Sequence, residues 1–122
     1  MNHNGVISLP VKGSEVIEMG QLVEIHTDGT AKKLVTVANV IGVALQDVSQ
    51  AESDRPVDIQ LLSAGGIVLV KTGGNTTHSI SVCGNVKAIA GGVAAGNGAT
   101  GTVFGTALEA SAAVDEFVRV VL

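Results

Sequence analysis

The chain has 122 residues and a mass of 12.2 kDa, which is enough for one domain and too little for two. Hydrophobic residues make up 46% of the sequence and charged residues 15%, a balance that excludes a disordered chain. Its only aromatic residues are Phe104 and Phe117 and its net charge is −4, so a nucleic-acid partner is not expected.

The sequence carries no signal of secretion or of membrane insertion. Cys83 is the only cysteine, so no internal disulfide can form. The first residues lack the basic start and apolar block of a signal peptide, and the most apolar stretch, from Ile59 to Val70, is shorter than the roughly 20 residues of a membrane span. We therefore expect a soluble protein, without a membrane partner, that stays in the compartment where it is made.

The hydrophobic pattern is that of an all-β protein. Short runs of Val, Ile and Leu are separated by clusters of Gly, Asn, Asp and Ser, as in small barrels and sandwiches. Eleven segments have this pattern: Val6–Val11, Glu15–Glu18, Leu22–His26, Ala31–Val37, Ile41–Leu45, Val57–Leu62, Ile67–Lys71, Ile80–Val82, Val86–Ala90, Gly101–Leu108 and Phe117–Val121. The sequence predicts a small β-barrel or β-sandwich over residues 20–122, preceded by residues 1–19.

The first apolar segment has two interpretations. Val6, Ile7, Leu9 and Val11 alternate loosely with polar residues, and Pro10 with the flanking glycines suits an edge strand or an extended arm. The segment is either the first strand of the barrel or an N-terminal arm that adds to the sheet edge of a partner.

Two local features follow farther along the chain. Asp28-Gly29 lies between two strand-like runs and predicts a tight hairpin in which both residues have φ > 0. The stretch Ala107–Val114 is the best candidate for a short helix.

An internal repeat joins the two parts of the sequence. The unit Ile41–Leu45, its loop and the strand Val57–Leu62 are echoed by Phe104–Leu108, a loop and Phe117–Leu122. The segment starting at Gly20 is echoed from Gly84. The offset is 63 residues between Gly42 and Gly105 and 60 between the last strands, so the repeat covers about 20–62 and 84–122. Two similar β halves that bury their apolar faces against each other form one body.

The last strand differs from its partner under this alignment. Asp58 and Gln60 are matched by Val118 and Val120, which makes the second strand apolar on both faces. Either it is a central strand of the sandwich, or Val118, Val120 and Leu122 lie in a subunit interface.

No group of residues has the spacing of a catalytic or metal site. The segment from Gly96 to Gly101 spells G-x-G-x-x-G, but a β-branched run follows it where dinucleotide binding requires a helix. Cys83 fits a small structural residue. Neither the histidines nor the acidic loop has metal-ligand spacing: these are His3, His26 and His78, and Asp47, Glu52, Asp54 and Asp58. We therefore expect no enzyme activity and no cofactor.

The repeated motifs resemble a known family. The twin units V-I-G-V-A-L-Q-D and V-F-G-T-A-L-E-A, the central G-G-I-V-L-V-K-T-G-G and the segment I-S-V-C-G-N-V-K-A are similar to the small capsid decoration (cement) proteins of tailed bacteriophages. The resemblance runs from about Gly20 to Leu122.

This resemblance implies a structural protein of the virion. Such proteins bind the outside of an expanded capsid, commonly as trimers, and hold major capsid subunits together; they carry no catalytic residue and no cofactor. The expected partners are the major capsid protein and further copies of the chain, in a homotrimer or alternatively a dimer, with synthesis in the host cytoplasm. By analogy with decoration proteins of the lambda type, Val6, Ile7, Leu9, Pro10 and Val11 would form a capsid-contact arm.

Two other functions remain open. A barrel that binds a ligand or glycan in a phage tail or adhesin is disfavoured by the shortage of aromatic residues. A carrier domain of the lipoyl type also has two similar β halves, but no lysine lies next to the segment Glu18-Met19-Gly20.

Overall fold

The computed structural model describes residues 5–11, 15–49, 55–73, 79–96, 99–111 and 116–122. Within these ranges the chain forms ten strands and two short 3-10 helices, which confirms the all-β prediction. The strands are β1 (Val6–Pro10), β2 (Leu22–Ile25), β3 (Ala31–Lys33), β4 (Gly42–Ala44), β5 (Pro56–Leu61), β6 (Ile67–Lys71), β7 (Asn85–Ile89), β8 (Val93–Ala95), β9 (Thr102–Ala107) and β10 (Phe117–Val121). The 3-10 helices are Val37–Asn39 and Leu62–Ala64.

The strands form two five-stranded antiparallel sheets with the same topology. The strand order is β1-β5-β4-β2-β3 in the first sheet and β6-β10-β9-β7-β8 in the second. A parallel bridge joins the two edge strands of each sheet at one end, Val11 to Ala31 in the first and Thr72 to Ala94 in the second. Each sheet therefore curls into a small barrel. We call β1–β5 the N-terminal unit and β6–β10 the C-terminal unit.

The repeat includes the first strand of each unit, which extends it beyond the predicted boundaries. β1 pairs with β5 as β6 pairs with β10: Ile7 lies opposite Ile59, and Val68 lies opposite Val120. Val68 and Val120 each lie 61 positions after their equivalents, Ile7 and Ile59. The strands β2, β3 and β4 correspond to β7, β8 and β9 with a shift of 63 residues. Isolated bridges show the same shift, since Ile17 pairs with Val48 in the N-terminal unit and Ile80 pairs with Ser111 in the C-terminal unit.

The predicted alignment of the last strands was therefore one residue out of register. A shift of 60 placed Val118 and Val120 opposite the solvent-facing Asp58 and Gln60, but the shift of 61 matches them with Val57 and Ile59. Because successive side chains on a strand point to opposite faces, a slip of one residue exchanges the inner and outer faces. The slip assigned the wrong apolar set to the outer face: Val118 and Val120 point inward, and Phe117 and Val121 point outward.

The repeated glycine of the G-x-A-L motif marks a close approach of two strands in each unit. A Cβ on Gly42 would lie 2.6 Å from Ile59 Cγ2 and closer still to the Gln60 carbonyl oxygen. A Cβ on Gly105 would meet the equivalent groups, since it would lie 2.6 Å from the Val121 carbonyl oxygen and closer to Val120. Both glycines allow the backbone of one strand to pack directly against the next, as at the bends of small barrels.

The two units share a buried contact. Leu22, Leu34 and Val43 point away from the core of the N-terminal unit, are fully buried, and belong to the same apolar cluster as the core of the C-terminal unit. Main-chain hydrogen bonds reinforce this contact: the Leu22 N–H donates to the Gly92 carbonyl (2.7 Å), and the Gly91 N–H donates to the Leu34 carbonyl (3.0 Å).

The contact between the units is head to tail. Asn85 and Thr106 occupy the positions in the C-terminal unit that Leu22 and Val43 occupy in the N-terminal unit, and both are exposed and polar. The hairpin between β7 and β8 contacts the N-terminal unit, whereas Gly29, in the equivalent hairpin, has open space around its Cα. The two units therefore use different surfaces to meet.

Several local predictions differ from the structure in detail, and the predicted strands Glu15–Glu18 and Ile80–Val82 each form only an isolated bridge. The Asp28-Gly29 hairpin forms, but only Gly29 of the pair has a positive φ (+85°). The Gly29 N–H donates to the His26 carbonyl and the Asp28 carboxylate accepts the Thr30 N–H (3.0 Å), as in a type I turn followed by a glycine bulge. Within Ala107–Val114, residue 107 ends β9, residues 108–111 form no helix, and residues 112–114 lie outside the described ranges. The strand β8 was not predicted.

Candidate functional site

The first strand belongs to the barrel and is not an arm. β1 pairs along its whole length with β5, Ile7 and Leu9 pack against the core of the N-terminal unit, and Val11 is buried. The structure therefore shows the first-strand interpretation and not an extended arm, and the contact of Val6, Ile7, Leu9, Pro10 and Val11 with the capsid stays a prediction. Pro10 is tolerated because β1 is an edge strand, where a missing N–H does not break a ladder.

The predicted interface residues lie inside the chain's own core. Val118 and Val120 are 1% and 0% exposed and pack in the apolar cluster of the C-terminal unit. Leu122 is half-buried against the same cluster, and its N–H donates to the Gly66 carbonyl (2.8 Å). The prediction of a subunit interface at Val118 and Val120 is therefore corrected: β10 is a central strand, between β6 and β9, and these side chains do not reach the surface.

The outer side of β6 and β10 carries large apolar side chains that are open to solvent. Ile67 is 62% exposed, Leu69 47%, Phe117 44% and Val121 37%. Val121 lies opposite Ile67 and Phe117 lies opposite Lys71, so the four side chains share one face of one antiparallel pair. We call these four residues the apolar face.

The equivalent face of the N-terminal unit is more polar, although Val6 and Pro56 stand at the positions of Ile67 and Phe117. Ser8 stands where the C-terminal unit has Leu69, and Gln60 stands where it has Val121. The Ser8 hydroxyl donates to the Asp58 carboxylate, and the Gln46 side-chain amide also approaches Asp58 (3.4 Å). This hydrogen-bonded cluster is the ordinary form of a sheet surface in water. The two units thus carry different chemistry on the same structural surface.

One ion pair borders the apolar face, and a second lies within it, because Arg119 is opposite Leu69. Lys71 pairs with Glu18 across the junction of the two units. Arg119, between Phe117 and Val121 on β10, donates from Nε to Glu109 (2.9 Å), and its N–H donates to the same carboxylate oxygen (3.0 Å). Hydrogen bonds from the Arg119 side chain and main chain hold the pKa of Glu109 below its ordinary value. The face therefore carries no net charge, although the chain carries −4.

A buried carboxylate stabilises the loop that follows β3. Glu24 is 3% exposed, and its Oε1 accepts the N–H groups of Val35 (2.7 Å) and Thr36 (3.2 Å), with Lys32 Nζ 3.8 Å away. Burial raises the pKa of Glu24, but the two N–H donors and Lys32 outweigh it, and the net shift is downward. The carboxylate is a structural group that fixes the approach to the helix Val37–Asn39.

The titratable residues considered in the sequence analysis, where the structure describes them, do not come together in one site. His26 lies 3.1 Å from Asp28, and the hydrogen bonds from Thr30 hold the pKa of Asp28 well below its ordinary value. Cys83 is exposed, with a positive φ of +63°. Of the acidic loop, only Asp47 and Asp58 are described. The remaining candidates lie outside the described residues: His3, His78, Glu52, Asp54 and the centre of the glycine motif, Asn97-Gly98.

Three observations complete the description of the surface. Within the described ranges, no three His, Cys, Asp or Glu side chains come together as a group that would hold a metal ion. No ligand-sized pocket opens on the part of the chain that the structure describes. None of the helical segments among those residues has the length and apolar character needed to cross a bilayer.

The sequence contained a signal for the apolar face that its interpretation missed. In Phe117-Val118-Arg119-Val120-Val121 both alternating sets contain apolar residues, so one apolar set must face outward whichever set forms the core. Matching the strand to its partner one residue out of register assigned the wrong set to the surface. The exposed pair is Phe117 and Val121.

The tandem of two five-stranded units defines the class of fold with which the chain can be compared. A solved structure with this fold is the N base of head fiber gp8.5 in bacteriophage phi29, with a TM-score of 0.66 over 96% of this chain and 93% of that chain. The sequence identity is 21%, so the likeness is one of fold. No family model and no curated protein matches the sequence.

Proposed function

We propose that the chain is a structural protein of a bacteriophage head. The observation that supports this most strongly is the extent of the likeness to the phi29 head fiber base, which covers 96% of this chain and 93% of that one. Small five-stranded barrels recur in many proteins with unrelated functions, so a match to one unit would carry little weight. A match that includes both units and their arrangement is more specific.

The proposed role is that of a decoration protein, in keeping with the family that the repeated motifs resemble. The chain binds the outer surface of the expanded head as a homo-oligomer, a trimer in the proposed form, and stabilises contacts between major capsid subunits. It is made in the host cytoplasm and acts without catalysis or a cofactor. Many copies on a regular lattice make modest individual contacts effective through avidity. The net charge of −4 suits a surface that does not contact DNA.

Addition of the purified chain to heads tests this proposal. Expanded heads of the phage that encodes it, prepared without the protein, are mixed with increasing amounts of chain and sedimented, and the bound copies per head are counted by gel densitometry. We expect saturable binding at a number set by the lattice and a higher temperature of DNA release from the decorated heads. Unexpanded heads serve as the control and should bind less.

The same preparation separates this role from that of a ligand-binding module. Absence of binding to expanded heads, together with binding to a defined glycan on an array, would contradict the proposal and favour the tail or adhesin module. Saturable head binding without any gain in thermal resistance would retain a head-associated protein and contradict the stabilising role.

A further inference from the structure

We infer that the apolar face, formed by Ile67, Leu69, Phe117 and Val121, is the surface through which the chain binds a second copy of itself. This inference deepens the proposed function, because it rests on the proposed assembly into a homo-oligomer and names the surface responsible. It replaces the buried residues Val118 and Val120 with the side chains of β6 and β10 that point outward.

The N-terminal unit provides an internal control for the interpretation of this face. Both units place the outer side of the same strand pair at the surface, under the same topology and with matched register. In the N-terminal unit the Ser8 hydroxyl donates to Asp58, and the Gln60 side-chain amide donates to the Gly65 carbonyl (3.5 Å); in the C-terminal unit the positions of Ser8 and Gln60 hold Leu69 and Val121. The fold therefore does not require apolar residues at the positions of Leu69 and Val121; at the positions of Ile67 and Phe117 the N-terminal unit has Val6 and Pro56. The presence of Leu69 and Val121 in the C-terminal unit calls for a separate reason.

The size of the face suits a subunit contact. From their exposed fractions, the four side chains offer on the order of 400 Å² of surface, which is in the range of about 300–600 Å² where the largest patch of a monomer is often functional. A standard interface buries about 800 Å² per partner, with an apolar core and a polar rim. The apolar face supplies about half of that area; Arg119, opposite Leu69, lies within it, and Lys71 and Thr106 lie at its border and supply part of a rim. Phe117, an aromatic residue near one end, belongs to the type that anchors interfaces.

Charge also favours a second copy as the occupant. Two chains that each carry −4 repel one another wherever acidic residues dominate the contact. On this face Lys71 is paired with Glu18 and Arg119 with Glu109, so two such faces meet without net repulsion. Association through this face is then favoured by the burial of apolar surface, an effect that salt does not screen.

Paired substitutions at equivalent positions of the two units test the inference. Leu69→Lys places a charge in the apolar face, and Ser8→Lys places the same charge on the matching position of the N-terminal unit. The mass of each protein is measured by sedimentation velocity from about 1 to 100 µM, a range that covers the dissociation constants of moderate interfaces. We expect the parent chain to form a species whose mass is a multiple of 12.2 kDa, Leu69→Lys to raise the dissociation constant at least about tenfold, and Ser8→Lys to leave it unchanged.

A second variant keeps the test valid if a lysine disturbs folding. Val121→Gln installs the residue that the N-terminal unit tolerates at the same place, and it should weaken association while leaving the urea midpoint of the dilute protein near that of the parent. Association should also persist in about 1 M NaCl, where pairs of exposed charges are screened. Dissociation by salt alone would overturn the inference, because it would indicate an electrostatic contact.

The outcomes distinguish this inference from the proposed function. A parent chain that stays monomeric at about 100 µM, or that is dissociated equally by Leu69→Lys and Ser8→Lys, overturns the self-association surface. If such a monomer still binds expanded heads, the proposed function stands, and loss of that binding in Leu69→Lys would assign the face to the shell instead. An oligomer that Leu69→Lys dissociates but that binds no head supports the surface and contradicts the function.

Discussion

Replacement of the repeated glycines tests the barrel geometry most directly. Gly42 and Gly105 have ordinary strand conformations, without a positive φ, so alanine at either position meets no backbone strain. What it meets is the neighbouring strand: its Cβ would lie 2.6 Å from Ile59 Cγ2 in the first case and 2.6 Å from the Val121 carbonyl oxygen in the second. Contacts between such atoms are normally near 3.5 Å, so the strands must separate by several tenths of an ångström.

The expected magnitude follows from two opposing effects. Overpacking of a tight contact costs about 1–3 kcal/mol. Alanine also restricts the unfolded chain relative to glycine, which returns about 0.4–1 kcal/mol. We therefore expect Gly42→Ala and Gly105→Ala each to lower the free energy of unfolding by about 1–2 kcal/mol, measured by urea denaturation with circular dichroism. The double variant should lose about the sum, since the two sites lie in separate units.

Valine at the same position separates a steric effect from strand propensity. Valine favours strands more than alanine or glycine does, so propensity alone predicts that Gly105→Val is better tolerated than Gly105→Ala. The close approach predicts the opposite order, because valine adds two methyl groups where one Cβ already overlaps. Thr106→Val, at the exposed neighbouring position, is the control and should change stability by less than about 0.5 kcal/mol. Unchanged or increased stability of Gly105→Ala would refute the explanation given for the repeated glycine.

Three further predictions concern single positions, each measured by urea denaturation at low protein concentration. Val120→Ala should lower the free energy of unfolding by about 2 kcal/mol, because Val120 is fully buried, and Val121→Ala should lower it by less than about 0.5 kcal/mol. The reverse order would support the register that the sequence alignment first predicted for β10. Cys83→Gly should raise it by about 0.5 kcal/mol and Cys83→Val should lower it by about 1 kcal/mol, because a φ of +63° strains any residue with a Cβ, most of all a β-branched one; equal stability of the two variants would contradict this. Glu24→Gln should cost about 2 kcal/mol at neutral pH, where the carboxylate accepts the Val35 and Thr36 N–H groups. Since the pKa of Glu24 is lowered in the folded state, its contribution is present above the ordinary value of 4.5 and is lost as the pH falls below it, so the two proteins should converge in acid; a constant difference would refute the role of the charge.

Strand positions were predictable from the sequence wherever β-branched residues dominate a segment. Ile67–Lys71 and Phe117–Val121 were predicted with the bounds that the structure gives. β8 was missed because Val93-Ala94-Ala95 lies in a stretch of Gly and Ala that has little strand propensity of its own. It forms because its pairing with β7 places Ala94 at the bridge to Thr72, a tertiary contact that no local pattern reveals.

The surface could be predicted less well than the core, and the reason is the period of a strand. The repeat was recognised from the sequence, but loops of different length leave its alignment open by a residue, and one residue decides which side chains are buried. Pairing of β1 with β5 fixes the register, because Ile7 and Ile59 repeat as Val68 and Val120. The choice between a first strand and an arm for the N-terminal segment stayed open for a related reason: its equivalence to Ile67–Lys71 becomes visible only when the shift of 61 is known.

The head-to-tail contact between the units has a consequence for the size of the molecule. A tandem joined through two different surfaces has an unused copy of each surface at its ends, and nothing in that geometry limits the series to two members. Asn85 and Thr106 are exposed and polar where the first unit has the buried Leu22 and Val43, so the outer end of the C-terminal unit lacks the apolar contact that joins the two units. The tandem therefore has two chemically distinct ends.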